Sequence, residues 1–239
     1  DDLAGPIYIE TQAGRLIVEP WNAASAALFL IVAGYWAWRL RGQYRRHAFL
    51  AACLPLVFIG GVGGTVYHAF RGHAAWLFMD WVPIALLCLA VSIYLWSRLL
   101  RRWWYALLLI PAAFGFQWLN WNVLGRSYAI AVSYSFMAGL IAVPAVGVLW
   151  KTGWRNGLYP LAAVVFFVLA VSARQIDQAA VKNGDLAWVA NLPMGTHFLW
   201  HVFGAAAGHM IAVYLYRLPD ALEEEEEERE TDERAPAAG

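Results

Sequence analysis

At 239 residues, 61% of them hydrophobic and only 14% charged, this chain departs from the composition of soluble domains, which run about 45–50% apolar and about 25% charged. A formal net charge of zero conceals 17 basic and 17 acidic residues that are segregated along the chain. Together these exclude an ordinary soluble enzyme, and the basic residues follow membrane topology rather than forming a nucleic-acid footprint.

Read in windows of about 19 residues, the chain shows seven apolar spans, at approximately 21–38, 48–70, 76–97, 103–119, 128–150, 157–173 and 196–216. Spans this long and without alternation fit helices, which satisfy their own backbone hydrogen bonds in hydrocarbon, rather than the shorter alternating strands of a barrel. The expectation is an all-α polytopic membrane protein: a segment over 1–20, a seven-transmembrane-helix bundle over 21–217, and an acidic cytoplasmic tail over 218–239. The polar, acidic start does not read as a cleavable signal peptide.

Arg39, Arg41, Arg45 and Arg46 follow span one, Arg98, Arg101 and Arg102 follow span three, and Lys151 and Arg155 follow span five. Those loops are read as cytoplasmic, with the N-terminus out and the C-terminus in. The 71–75 turn, the 120–127 turn and the 174–195 loop then face outward, with Arg71, Arg126 and Arg174 among their thinner positive charge. Trp36, Trp38, Trp76, Trp96, Trp103, Trp104, Trp118, Trp121 and Trp150 fall near span ends, where indoles prefer the headgroup layer.

Ten of the 17 acids lie in the tail from Asp220, including Glu223 to Glu228, which reads as a solvated, disordered segment. The other seven, Asp1, Asp2, Glu10, Glu19, Asp80, Asp177 and Asp185, all fall on or near the expected outer face. Cys53 and Cys88 sit within spans and are not placed for an extracellular disulfide.

The chemistry concentrates in four residues. His197 and His201 are four apart at the outward end of span seven, so both imidazoles project from one helix face about 6 Å apart along the axis. His68 lies at the outward end of span two, and Asp80 about one turn into span three. All four reach one depth. Three imidazoles leave a fourth tetrahedral position for water, the pattern of a catalytic zinc, beside which Asp80 is placed to move a proton. The competing structural reading is a helix–helix hydrogen-bonding role for a single intramembrane histidine such as His68. An acid well inside a span, as Asp80 is, marks a functional position by default. His209 reads as polar packing, His73 as solvated, and His47 as headgroup-facing. Gly60, Gly61, Gly63 and Gly64 leave one side of span two open to a close neighbouring helix.

The run Glu19-Pro-Trp-Asn22, Gly63-Gly-Thr-Val-Tyr-His68 through Asp80-Trp-Val-Pro83, Asp177, and His197-Phe-Leu-Trp-His201 resembles the alkaline ceramidase family, whose superfamily includes the adiponectin-type receptors. The resemblance extends from Tyr8 to Arg217 and includes the helix order. It implies a zinc amidohydrolase with His68, His197 and His201 as ligands and Asp80 beside the reacting water, acting on the N-acyl bond of a ceramide-like lipid. Two positions depart from the family. The serine expected four residues before the first histidine is Gly64, with Thr65 adjacent as a substitute. Of the acids expected to hold calcium before the first helix, Glu10 and Glu19 match, with Asp1 or Asp2 able to help, while the earlier acidic position falls near Gly5 or Pro6. Glu19 also reads as a carboxylate at a helix start followed by Pro20.

Other classes fit less well. A retinal protein requires a lysine within its last span, whereas Lys151 and Lys182 both lie outside the spans. A solute carrier would show repeated halves or interrupted helices. An adiponectin-receptor-like protein, or a zinc-binding relative impaired in catalysis, would share the metal site.

Overall fold

The computed structural model describes residues 5–124, 126–183 and 192–234, and every regular element among them is helical. In chain order these are α1 (Pro20–Ala26), α2 (Leu28–Arg39), α3 (Ala48–Phe70), α4 (Ala74–Leu99), a 3-10 helix (Trp103–Leu108), α5 (Leu109–Val123), α6 (Arg126–Lys151), α7 (Leu158–Asn183) and α8 (His197–Arg234). Five stretches are long and apolar enough to cross a membrane: Ala48–Phe70, Ala74–Leu99, Tyr128–Lys151, Leu158–Lys182 and His197–Arg234. The chain is an all-α polytopic membrane protein. Large apolar side chains such as Ile31, Phe114, Trp118 and Leu161 are more than 60% exposed, which suits contact with lipid rather than water.

The remaining two expected spans are built from shorter pieces. The first is α1 followed by α2, joined at Ala27, which keeps right-handed helical angles (φ −63°, ψ −15°) while its carbonyl accepts from both Leu30 and Ile31. One tightened turn therefore separates two helices on a continuous path. The fourth combines the 3-10 helix with the 15-residue α5.

Two compact units divide the chain, residues 1–88 with 163–209 and residues 89–162 with 210–239. In the first, α3 packs on α1 and α2 through its glycines. A Cβ on Gly61 would lie 2.7 Å from Leu30 Cδ2, and one on Gly63 would lie 2.5 Å from Met79 Cβ. Neither position tolerates alanine without displacing a helix, so this small-residue face sets how closely α2 and α4 approach α3. In the second unit, Phe116 stacks on Phe136 at 4.0 Å between centroids. Asn120 there donates to Ala129 O and Ser133 Oγ at 2.9 and 3.0 Å.

Four expectations need correction. The acidic tail, expected to be disordered, is helical as far as Arg234 because α8 continues through Pro219. Glutamate is a good helix former, and the like charges are offset by Glu225–Arg229 and Glu230–Arg234 pairs at i, i+4 and by Arg155, which pairs with Glu224, Glu225 and Glu228. Arg174 and Asp177, expected in an outer loop, lie inside α7, and Arg174 is buried. His47 is buried at the N-cap position of α3 rather than facing headgroups. Trp36 is buried as well, its Nε1 donating to His209 Nδ1 at 3.2 Å instead of sitting at an interface. Asp1, Asp2 and Asp185 lie outside the described residues.

Candidate metal centre

The C-terminal turn of α3 and the first two turns of α8 bring His68, His197 and His201 together within the first unit, all at most 2% exposed. One nitrogen from each ring lies within 4.8 Å of one from each of the others. His68 Nε2, His197 Nδ1 and His201 Nε2 are buried without a hydrogen-bond partner. Leaving three such acceptors or donors unmade in a protein interior is costly. A metal ion satisfies all three at once.

The other ring nitrogens show why these three are free for a metal. His68 Nδ1 lies 2.5 Å from Glu19 Oε2. A carboxylate with its other partners in place can only accept, so Nδ1 carries the proton and Nε2 presents its lone pair. His201 Nδ1 lies 2.9 Å from Ser25 Oγ, whose own proton goes to Asn22 O at 3.1 Å. Ser25 therefore accepts from His201, and His201 Nε2 is likewise a lone pair. This is the outer-shell arrangement that orients metal-binding imidazoles.

His197 is fixed differently. Its ring stacks on Tyr8 at 3.7 Å and 15°. Its backbone N–H and that of Thr196 both donate to Asp177 Oδ1, at 3.1 and 2.7 Å, while Ile9 N–H donates to Asp177 Oδ2 at 3.2 Å. Asp177 of α7 thus supplies the negative charge that the N-terminus of α8 favours and ties residues 8 and 9 to it. Gly195, with φ +56°, leaves room for that carboxylate, which a Cβ would meet.

Asp80 of α4 is half-buried and within electrostatic reach of His68 and Arg174. Its Oδ1 lies 2.5 Å from where a Cβ on Gly64 would stand, one helical turn before His68 on α3. A serine at position 64 would occupy the space that the Asp80 carboxylate uses here. Thr65, expected as a substitute for that serine, donates instead to Gly61 O at 2.7 Å, the back-bond of a helical threonine.

The two acids expected to hold calcium lie beside this centre. Glu10 accepts from Trp21 N and Asn22 N at 2.5 and 2.9 Å and so caps the start of α1. Burial raises its pKa, opposed by those two N–H groups. Glu19 is fully buried and receives Thr11 Oγ1 and Arg71 Nη1 on one oxygen and Asn22 Nδ2 and His68 Nδ1 on the other. Burial alone would raise its pKa, but the hydrogen bond from His68 and the charge of Arg71 hold it below the ordinary carboxylate value.

Sequence reasoning expects the three histidines that the structure clusters and misses most of what holds them. Ser25, Arg71, Tyr8 and the capping role of Asp177 were not anticipated. A signal for the first existed: Glu19, Asn22 and Ser25 recur every three residues along the entry to an apolar span, a polar stripe that only a partner from elsewhere would justify.

The donor set fits zinc. Three neutral imidazoles converge, each with one nitrogen unpartnered and each ring held by an outer contact. Comparison with known proteins adds no family: no protein-family model and no curated protein matches this chain. The geometry supports a metal-binding centre, of a kind suited to metal-dependent hydrolysis, within a polytopic membrane protein.

Proposed function

We propose that the protein is a zinc-dependent intramembrane amidohydrolase that cleaves the N-acyl bond of a ceramide-like lipid. The observation that carries this reading is the clustering of three buried histidines, each with an unpartnered ring nitrogen, with the Asp80 carboxylate against Gly64, one helical turn before His68 on α3. A structural zinc site closes its fourth position with protein, whereas a three-histidine set leaves it for the reaction. The apolar, outward-facing helices around the centre suit a substrate that arrives laterally from the bilayer. The pattern of positive charges, read as seven crossings with the N-terminus outside, supports a centre toward the periplasmic, extracellular or lumenal leaflet.

Zinc, when bound, supplies Lewis acidity that makes water nucleophilic near neutral pH and polarises the acyl carbonyl. His68, His197 and His201 would hold it, with Glu19 and Ser25 fixing two of their tautomers. Asp80 takes the proton from the attacking water and delivers it to the departing nitrogen, so that amide and water give a fatty acid and a free amine. Thr65 has no donor role in this scheme, its hydroxyl being committed to Gly61.

Asp80→Asn is expected to retain zinc and to lower turnover by about 10²-fold or more, the usual scale of acid–base contributions. The measurement is fatty-acid release from a panel of ceramides in liposomes, with zinc content determined on the same samples. A zinc-loaded wild type no faster than Asp80→Asn across the panel would overturn the reading. The absence of a serine hydroxyl at Gly64 favours one specific alternative, an adiponectin-receptor-like or catalytically impaired zinc protein. That alternative predicts this null outcome with full metal occupancy.

A further inference from the structure

The N-terminal segment is tied to the end of α3 by a cation that belongs to the chain. Arg71 is buried, with Nη1 on Glu19 Oε1 at 2.5 Å and Nη2 on Pro6 O at 2.7 Å. Its guanidinium also lies 5.0 Å from the Tyr67 ring centroid and 5.9 Å from that of Tyr8, the residue stacked on His197. Backbone bonds from Val18 to Ala69 and from Glu19 to His68 run alongside.

A divalent cation in this place would need several free oxygens. Neither of the expected acids among the described residues, Glu10 and Glu19, offers them. A carboxylate has about four acceptor positions, and those of Glu19 face Thr11, Arg71, Asn22 and His68. Glu10 is engaged by the first N–H groups of α1, and Pro6 O is taken by Arg71 itself. Around Glu19 the structure therefore does not fit calcium.

The backbone gives an independent sign that position 71 is kept for its side chain. Arg71 ends α3 in the left-handed conformation, φ 48° and ψ 18°, where glycine is the ordinary choice and other residues are strained. An arginine there has to be justified by what its guanidinium touches. That fork is planar, permanently charged and able to reach two oxygens at once.

We propose that Arg71 is a resident cation that takes the place of a divalent ion, bridging Glu19 to Pro6 and thereby holding the N-terminal segment and His68 in register without calcium. Arg71 is a positioning residue in this role, since it acts on the centre through Glu19. The inference does not depend on the reaction catalysed, because its readouts are calcium uptake, melting and a metal spectrum.

Arg71→Gly is the informative variant, since glycine relieves the left-handed backbone and any loss reports the missing guanidinium. Zinc-loaded wild type in detergent is expected to take up no calcium in equilibrium dialysis with radioactive calcium, and its melting temperature should not move with added calcium. Arg71→Gly is expected to melt lower, to bind calcium, and to recover about 5–10 °C at calcium near 100 times its Kd. In cobalt-substituted protein the visible bands should shift in Arg71→Gly and return with calcium, a response that a purely structural role would not produce. Stoichiometric calcium uptake by wild type would overturn the proposal, as would a folded Arg71→Gly that ignores calcium. Should Arg71→Gly fail to fold, the wild-type dialysis still decides the question, and Arg71→Lys, which keeps the charge but not the fork, replaces it in the melting series.

Discussion

Helix α8 carries three histidines within the first unit, and two of them have a different fate from the third. His201 has one nitrogen on Ser25 and the other buried and unpartnered, while His209, two turns further along, has its Nδ1 satisfied by the indole of Trp36 and its ring against Tyr35. The residue type and the helix are the same. What differs is what α1, α2 and α3 present to each. Near His201 they supply an acceptor for one nitrogen and the imidazole of His68 4.8 Å away between ring centroids, and near His209 they supply a donor and aromatic surface. A buried histidine is available to a metal where neighbouring elements hold one nitrogen and leave the other facing its like.

The sharpest way to break this contrast is to remove both span-end histidines. His197→Ala combined with His201→Ala should reduce zinc from stoichiometric to background and lower the melting temperature with it, because metal binding and folding are linked. Metal analysis of the purified protein checks this, and full occupancy in the double variant would mean that the centre is not where the nitrogens converge.

Glu19→Ala comes next in size. It strands the Arg71 guanidinium and the His68 Nδ1–H in a buried site, a loss expected to cost about 3–5 kcal/mol, with zinc affinity falling about 10–100-fold. Chemical or thermal unfolding followed by zinc titration separates the two effects. Ser25→Ala removes the acceptor for His201 and the hydroxyl's bond to Asn22 O. Zinc affinity should fall by about 10-fold or more while stability changes by about 1 kcal/mol. Equal zinc affinity in this variant and wild type would show that the His201 tautomer does not depend on Ser25.

His209→Ala is the counterpart on the same helix and the smallest effect. Loss of its bond from Trp36 should cost about 1 kcal/mol, with zinc content unchanged. A His209→Ala protein that loses zinc would erase the distinction drawn between the two parts of α8.

The apolar spans were legible because transfer into lipid demands long, uninterrupted hydrophobic runs, and that demand is written in composition. Span ends were less so. The stretch beyond residue 173 is too polar to read as membrane, yet α7 continues to Asn183 because Asp177 and Arg174 face protein rather than lipid. The tail misled for a related reason, since a run of glutamates reads as solvated until Arg155 and the i, i+4 arginines are seen beside it.

His68, His197, His201 and Asp80 were identifiable because ionisable side chains in apolar spans are costly and stand out one by one, and because a four-residue spacing fixes a common helix face. The tautomers of the histidines and the assignment of Glu19 and Glu10 were not written there. Those depend on contacts between residues far apart in the chain: Glu19 with His68, Ser25 with His201, Asp177 with the start of α8, and Arg71 with Pro6. A carboxylate in a sequence offers the same oxygens to calcium, to an arginine or to a helix N-terminus. Only the packing of α1 and the N-terminal segment onto α3 decides which donor reaches them first, because each short polar contact excludes the others from the same lone pair.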